Sequence, residues 1–346
     1  MNGLPEYLIQ TREFSAGIPS EYLGKKRSDV NLLSINPSSG TYSIGRFSDI
    51  AGLLREGDLL VFNNSRIIHS SLKGFARDHD RPVRVNFGYC EDGTIAEIRD
   101  RMHEYHGGDM IMFADGSFVT LEQRYERYGR YWHVSISDTE SFKKLMKGSG
   151  DFIIYGENSP SYPESVYSSE LATVEGSVEY PCALRPFTSD VLGLLGRRGV
   201  QLAPLTIHCN LGSLDASEFF HQKSLLPEFY HLPVRTAEMI SKARDNGGRI
   251  IAVGTGAARA LTTVYRNNDF RPGKGFTSIF IDQNTVTGLD GIVTGMHDPT
   301  TSHILLLSAF ADIALIRSSY EASSDHGFRW HEFGDSCVIL GSSRKG

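Results

Sequence analysis

The chain has 346 residues, enough for two domains each with a core, and its 40% apolar and 22% charged residues exclude a disordered or fibrous protein. A formal charge of −6 gives no global basic field for nucleic acid, so any RNA contact has to come from a local patch. Four widely spaced cysteines, Cys90, Cys182, Cys209 and Cys337, form no C-x-x-C pair, which argues against a zinc or disulfide framework and for a reducing cytoplasm.

In chain order, Met1–Gln10 lacks the basic and apolar regions of a signal peptide. Lys25-Lys26-Arg27 reads as a solvated turn before a short strand, Leu32–Ile35. Phe47–Leu54 has helical spacing with Ser48 as its N-cap. Leu59-Leu60-Val61-Phe62 is continuously apolar, the pattern of a strand buried on both faces, and it runs into Asn63-Asn64-Ser65-Arg66. Two amides, a hydroxyl and a guanidinium at a strand end suit a ligand edge and a capped turn equally well.

From Ser71 to about Gly150, short runs such as Val83–Phe87, Thr94–Ile98 and Tyr131–Ile136 alternate with period two between Asp-Gly and Gly-Gly turns. This predicts a small antiparallel barrel inserted at 71–150 into a main domain built from 1–70 and 151–346. Arg124–Trp132 interleaves cations with aromatics as nucleic-acid binders do, but Glu126 interrupts it and strand edges share the pattern. His103 and His106 have suggestive spacing without acidic or cysteine partners in a ligand pattern, so no metal is expected.

After residue 168 helix and strand alternate. Ser189–Arg198 and Thr236–Asp245 read as helices, Val200–Cys209 and Ile250–Val253 as strands, and Thr300–Ser318 as one helix. The apolar run Ile304–Ile316 is too short to cross a bilayer. Such alternation predicts a mainly parallel sheet with ligands at the carboxyl ends of its strands. Two turns stand out there: Gly254-Thr255-Gly256, running into Arg259, and Thr294-Gly295-Met296-His297. Both expose backbone N–H groups beside polar side chains, the means by which an anionic or zwitterionic small molecule is held.

Taken together these turns resemble the QueA family, the S-adenosylmethionine:tRNA ribosyltransferase-isomerases of queuosine synthesis. The resemblance rests on Leu60-Val61-Phe62-Asn63-Asn64-Ser65-Arg66, on Thr206–Ser213 with His208, and on Ala252-Val253-Gly254-Thr255 with Arg259. It rests also on Thr294, His297, Pro299 and Ser308-Ala309-Phe310, and on Asp290, Arg329 and Gly334-Asp335. It implies an α/β, barrel-like main domain assembled from both chain ends with an inserted antiparallel β-barrel. It also implies S-adenosylmethionine as substrate, donating its ribosyl carbons with release of adenine and methionine. On that reading His208, Glu228 and Asp335 are the candidate bases. Asn63, Ser65, Arg66, Gly254, Thr255, Gly256, Arg259, His297 and Arg329 are candidates for the pocket.

Departures from the family pattern bear on the acceptor. Pro186 replaces a histidine, Leu225-Leu226 a Met-His, Ala257 a serine, Asn31 an arginine, and His331-Glu332 an aromatic–serine pair, while Arg185 and Glu332 add charge at pocket positions and are candidates for binding the acceptor. Loss of groups that a substrate must pair with, beside retained S-adenosylmethionine turns, implies a divergent paralogue acting on a small-molecule amine or nucleoside. A genuine tRNA-modifying enzyme, an S-adenosylmethionine elimination or cyclisation enzyme, and a non-catalytic nucleoside-binding protein stay open as alternatives. No membrane partner is expected.

Overall fold

The computed structural model describes residues 17–100, 103–125, 130–154, 162–212, 225–298, 301–330 and 332–341. Glu126, Ser213, Pro299, Thr300 and His331 therefore lie outside the described residues. Strands follow the chain as β1 (Asn31–Asn36), β2 (Thr41–Arg46), β3 (Leu59–Asn63), β4 (Ser65–Ile67), β5 (Ser71–Ala76), β6 (Arg81–Cys90), β7 (Gly93–Ile98), β8 (Met110–Met112), β9 (Phe118–Arg124) and β10 (Tyr131–Ile136). They continue as β11 (Val174–Ser177), β12 (Gln201–Ile207), β13 (Glu228–Leu232), β14 (Ile250–Val253), β15 (Tyr265–Arg266), β16 (Asp269–Phe270), β17 (Gly273–Thr277), β18 (Gly291–Gly295) and β19 (Ser336–Leu340).

The main sheet has nine strands in the order β17-β13-β12-β3-β14-β18-β19-β1-β2. At its centre β12, β3, β14 and β18 run parallel, so their carboxyl ends open on one edge. The flanking pairs β13–β17, β12–β13, β18–β19 and β1–β2 are antiparallel. The sheet is mixed, not mainly parallel, because short connections such as the one between β1 and β2 form hairpins at its margins.

Continuous apolar runs form the central strands because both faces are covered. Leu59, Val61, Ile250 and Ala252 join a core with the helices Val234–Asp245, Thr255–Val264 and Ile313–Asp325. Their neighbours Leu60, Phe62, Ile251 and Val253 pack on the other face against Phe47, Ile50 and the helix Ser189–Arg197.

Two helix expectations change. Phe47–Asp49 is a 3-10 turn and only Ile50–Leu53 is α-helical, with Asp49 rather than Ser48 accepting the Arg46 N–H at 3.0 Å. The single helix expected over 300–318 is two, Ser302–Leu307 and Ile313–Asp325. Asp312 starts the second by accepting the Ala314 N–H at 2.8 Å, an N-cap inside an apolar run. No described helix is long and apolar enough to cross a membrane.

Strands β10-β7-β6-β5-β8-β9 close into a barrel with its own core around Val85, Ile111, Leu121 and Trp132. It docks onto the segment after β12. Asn210 donates to Tyr89 O at 2.6 Å, Tyr89 N–H donates to Asn210 Oδ1 at 3.2 Å, and the Tyr89 hydroxyl donates to His208 O. Cys90, Ile95, Tyr131, Val178, Leu211 and Leu226 seal this junction. The barrel thus stands over the edge where the parallel strands end.

Candidate active site at the parallel strand ends

A cavity of about 500 Å³ lies at that edge, lined by the ends of β3 (Asn63), β14 (Val253, Gly254) and β18 (Thr294, Gly295) and by Cys209 and Asn210 after β12. This is where an open α/β sheet holds ligands. Asn63 serves here as a fastener. Its Nδ2 donates to Ile207 O at 2.8 Å, while its Oδ1 accepts from Ile207 N at 2.9 Å and Ser65 N at 3.0 Å.

Behind this wall sits a hydroxyl–imidazole cluster. Ser65 Oγ lies 2.7 Å from both Ser177 Oγ and His208 Nδ1, and Ser177 Oγ accepts the Cys209 N–H at 3.0 Å. The His208 ring stacks on Phe229 at 5.6 Å, and burial lowers its basicity. Neither Ser65 nor His208 lines the cavity. Arg66 is turned to the surface, paired with Glu175.

At the cavity floor, Gly254 takes φ +94°, a left-handed turn that suits glycine and starts the helix Thr255–Val264. Thr255, Gly256 and Ala257, the first turn of that helix with its unbonded N–H groups, line the cavity. One turn on, Arg259 donates Nε–H to Glu228 Oε2 at 2.8 Å and adds a second bond from Nη2. Both side chains are buried and both border the cavity.

In the same lining, His297 Nε2 lies 2.7 Å from Thr294 Oγ1 and its ring stacks on His303 at 4.2 Å. Glu332, Glu179, Tyr180 and Cys182 also line the cavity. Burial, and then the charge of Glu179, push the Glu332 carboxyl up to about 8. Burial, followed by the nearby Glu332, raises the Cys182 thiol to about 12.

Three further predicted residues also stand outside the main cavity. Arg185 is buried beside Glu21, to which it is paired, with its guanidinium 5.1 Å from the Phe333 ring. Together with Asp335 and Glu332 it lines a side pocket of about 20 Å³. Both Asp335 carboxylate oxygens accept backbone amides, from Asn31 at 2.6 Å and Arg329 at 2.8 Å. Its carboxyl is nevertheless raised, chiefly by burial. Arg329 lines neither pocket, and it is its backbone N–H that donates to Asp335.

Sequence reasoning missed Arg99 and Arg130, which the barrel brings to the cavity rim, together with Glu179 and Cys182. Arg130 belongs to the cation–aromatic run, the one signal that pointed at this rim. Arg99 donates to Glu97 at 3.1 Å, and Arg130 donates to the Tyr131 hydroxyl at 2.8 Å. Among the described residues, Cys90, Asp92 and His133 place donor atoms within 4.8 Å of one another in a metal-type grouping, but none of them lines the cavity. His103 pairs with Asp100 at 3.3 Å instead of His106.

Fold and site together define a two-domain α/β protein with a cavity walled by parallel strand ends beneath an inserted barrel. The family model described as "Queuosine biosynthesis protein" matches residues 8–339, and the chain belongs to that family. Its class is thus the ribosyltransferase-isomerases, enzymes of the transferase kind. A solved structure described as an S-adenosylmethionine tRNA ribosyltransferase from Thermotoga maritima matches with a TM-score of 0.53 at 21% identity, covering 97% of this chain and 100% of that one. At that identity the likeness is one of fold.

Proposed function

We propose that the cavity binds S-adenosylmethionine and transfers its ribosyl carbons to a small-molecule amine or nucleoside, with release of adenine and methionine. The observation that carries this reading is the cavity of about 500 Å³ at the parallel strand ends, in the size range of sites for drug-sized and nucleoside ligands. The first-turn amides of Thr255 and Gly256 suit the methionine carboxylate. Asn63 and the Thr294–His297 turn supply rigid walls for the nucleoside.

The reaction begins with loss of a C5′ proton next to the sulfonium. Of the three candidate bases, Glu228 is the one that faces the cavity; His208 lies behind the wall and the Asp335 carboxylate is taken up by backbone amides. The C5′ proton passes to Glu228, which Arg259 orients from below. The ribose then opens, adenine leaves, the acceptor amine attacks C1′ with loss of its own proton, and methionine departs.

A second reading, a tRNA acceptor in queuosine biosynthesis, is favoured by Arg99 and Arg130 at the rim, where a phosphate backbone would pass. Chromatography of S-adenosylmethionine incubated with the protein decides between them. Adenine and methionine released only with a small amine such as 7-aminomethyl-7-deazaguanine is the expected result. Release that requires tRNA overturns the choice of acceptor. Release without any acceptor points to elimination or cyclisation, and saturable binding with no release points to a binding protein.

A further inference from the structure

Three unlike metal donors meet on the barrel, away from the cavity. Cys90 ends β6, Asp92 sits in the two-residue turn to β7, and His133 lies on β10. Cys90 pairs with Gly93 and His133 with Ile95, positions two apart on β7. Pleating puts such positions on one face, so thiol and imidazole project from the same side of the sheet. On that side Cys90, Ile95 and Tyr131 pack against Val178, Leu211 and Leu226 of the main domain. The turn brings the third donor: Cys90 Sγ donates to Asp92 Oδ1 at 3.0 Å and lies 4.0 Å from His133 Nδ1. One atom from each residue falls within 4.8 Å of the other two, and among the described residues this is the one group of three that does.

These donors are not spent elsewhere. Outside the cluster the Cys90 thiol reaches the Gly93 carbonyl at 3.4 Å and the His133 ring meets Tyr125 at 5.2 Å. Asp92 has no other side-chain partner among the described residues. Zinc bonds of about 2.3 Å to sulfur and about 2.0–2.2 Å to nitrogen or oxygen, at tetrahedral angles, set donors about 3.3–3.6 Å apart. The separations of 3.0 and 4.0 Å bracket that spacing, so small rotations about the side-chain bonds seat an ion. Cys90 is buried, His133 half-buried and Asp92 exposed, which leaves one side open for entry and for a water ligand. A thiolate with an imidazole and one carboxylate suits a borderline-soft divalent ion, whereas magnesium and calcium take oxygen.

We propose that Cys90, Asp92 and His133 form a site for one zinc ion, with water as the fourth ligand, clamping the β6–β7 turn to β10. As the S–Zn bond forms the thiol proton passes to solvent, and His133 binds through Nδ1 with its own proton on Nε2. The site stands apart from the cavity, so its test does not depend on the proposed reaction. Sequence spacing hides it, since His133 lies 43 residues beyond Cys90.

The test uses the full-length protein after dialysis against a chelator, with Zn²⁺ and Co²⁺ alone as probes. One equivalent of Zn²⁺ is expected to bind with a Kd of about 1 μM or tighter. Co²⁺ is expected to give a thiolate-to-cobalt charge-transfer band with the intense visible absorption of four-coordinate cobalt. Cys90→Ser removes that band, while His133→Gln and Asp92→Asn weaken Zn²⁺ binding by about 100-fold and about tenfold. His103→Gln, elsewhere on the barrel, leaves it within about twofold. Zn²⁺ should also raise the Tm of wild type and not that of His133→Gln.

Should Cys90→Ser fail to fold, His133→Gln, at a half-buried position, carries the comparison. No one-to-one binding at that strength, affinity unchanged in the three ligand variants, or a cobalt spectrum without the thiolate band overturns the inference. Equal losses in His103→Gln and His133→Gln would show an adventitious ion only, and overturn it too.

Discussion

Arg259 and Glu228 meet through two hydrogen bonds to the same carboxylate oxygen, linking the helix behind the Gly254 turn to the first residue of β13. The pair is buried and touches the cavity, so it acts on stability and on binding together. Arg259→Ala leaves a buried carboxylate unpaired and is expected to destabilise the fold by about 3–5 kcal/mol in denaturant titration. Measured at low temperature where the variant is folded, S-adenosylmethionine affinity should fall as well; unchanged affinity in calorimetry removes Arg259 from the ligand's surroundings.

His208 governs a second expectation. Burial depresses its folded pKa below the unfolded value, so the unfolded chain binds more protons at mildly acidic pH. Its contribution to stability is therefore complete above the unfolded pKa of about 6.5 and is lost as pH falls below that value toward the folded one. Unfolding free energies at pH 7.5 and 5.5 should differ more for wild type than for His208→Asn. Gly176→Ala should have a related effect, since a methyl group there would fall on the imidazole and displace it from Ser65.

Asp335 is expected to matter for stability more than for turnover. Its two oxygens join the start of β1 to the turn at Arg329, and Asp335→Ala strands two backbone donors, at about 1–3 kcal/mol each. Asp335→Asn keeps one acceptor and should recover part of that loss. A variant of normal stability that has lost adenine release would return Asp335 to the chemistry.

Much of the fold was legible because its signals are local. Leu59–Phe62 and Ile250–Val253 are apolar at every position because helices cover both faces, and the alternation in 71–136 is that of strands with one face inside a barrel. The glycine turn at 254 was legible for the same reason. What depends on long-range docking was not. Arg99 and Arg130 reach the rim because Tyr89 grips Asn210, 121 residues away, and no spacing in the sequence announces that contact. The side chains of Arg66 and Asp335 were placed in the pocket by resemblance, yet Glu175 and two backbone amides claim them, partners visible only once the chain is folded.

Gly254→Ala tests the floor of the cavity. At φ +94° an L-residue is strained, and its Cβ would stand 3.2 Å from the Ala183 Cβ. A loss of about 1–3 kcal/mol is expected, with weakened S-adenosylmethionine binding because the first-turn amides shift. Wild-type stability and affinity in this variant would show that the turn is not what positions the ligand.

The acceptor can be approached through salt. An RNA substrate held by six or more phosphate contacts would lose affinity by about 10³–10⁵ between 50 and 200 mM salt, because binding releases condensed counterions. Arg99 and Arg130 are poor sources of such a slope. Arg99 is hydrogen-bonded to the buried Glu97, and Arg130 lies 3.8 Å from the same carboxylate with its guanidinium 4.9 Å from the Tyr131 ring centroid. Both charges are partly neutralised and held at the rim, an arrangement that suits orienting a small ligand more than tracking a phosphate backbone. Adenine release at subsaturating acceptor should therefore change less than about threefold over that salt range, and Arg130→Ala should raise the acceptor KM without altering the salt dependence. A steep salt slope that Arg130→Ala flattens by about one unit would instead place an RNA backbone across this rim.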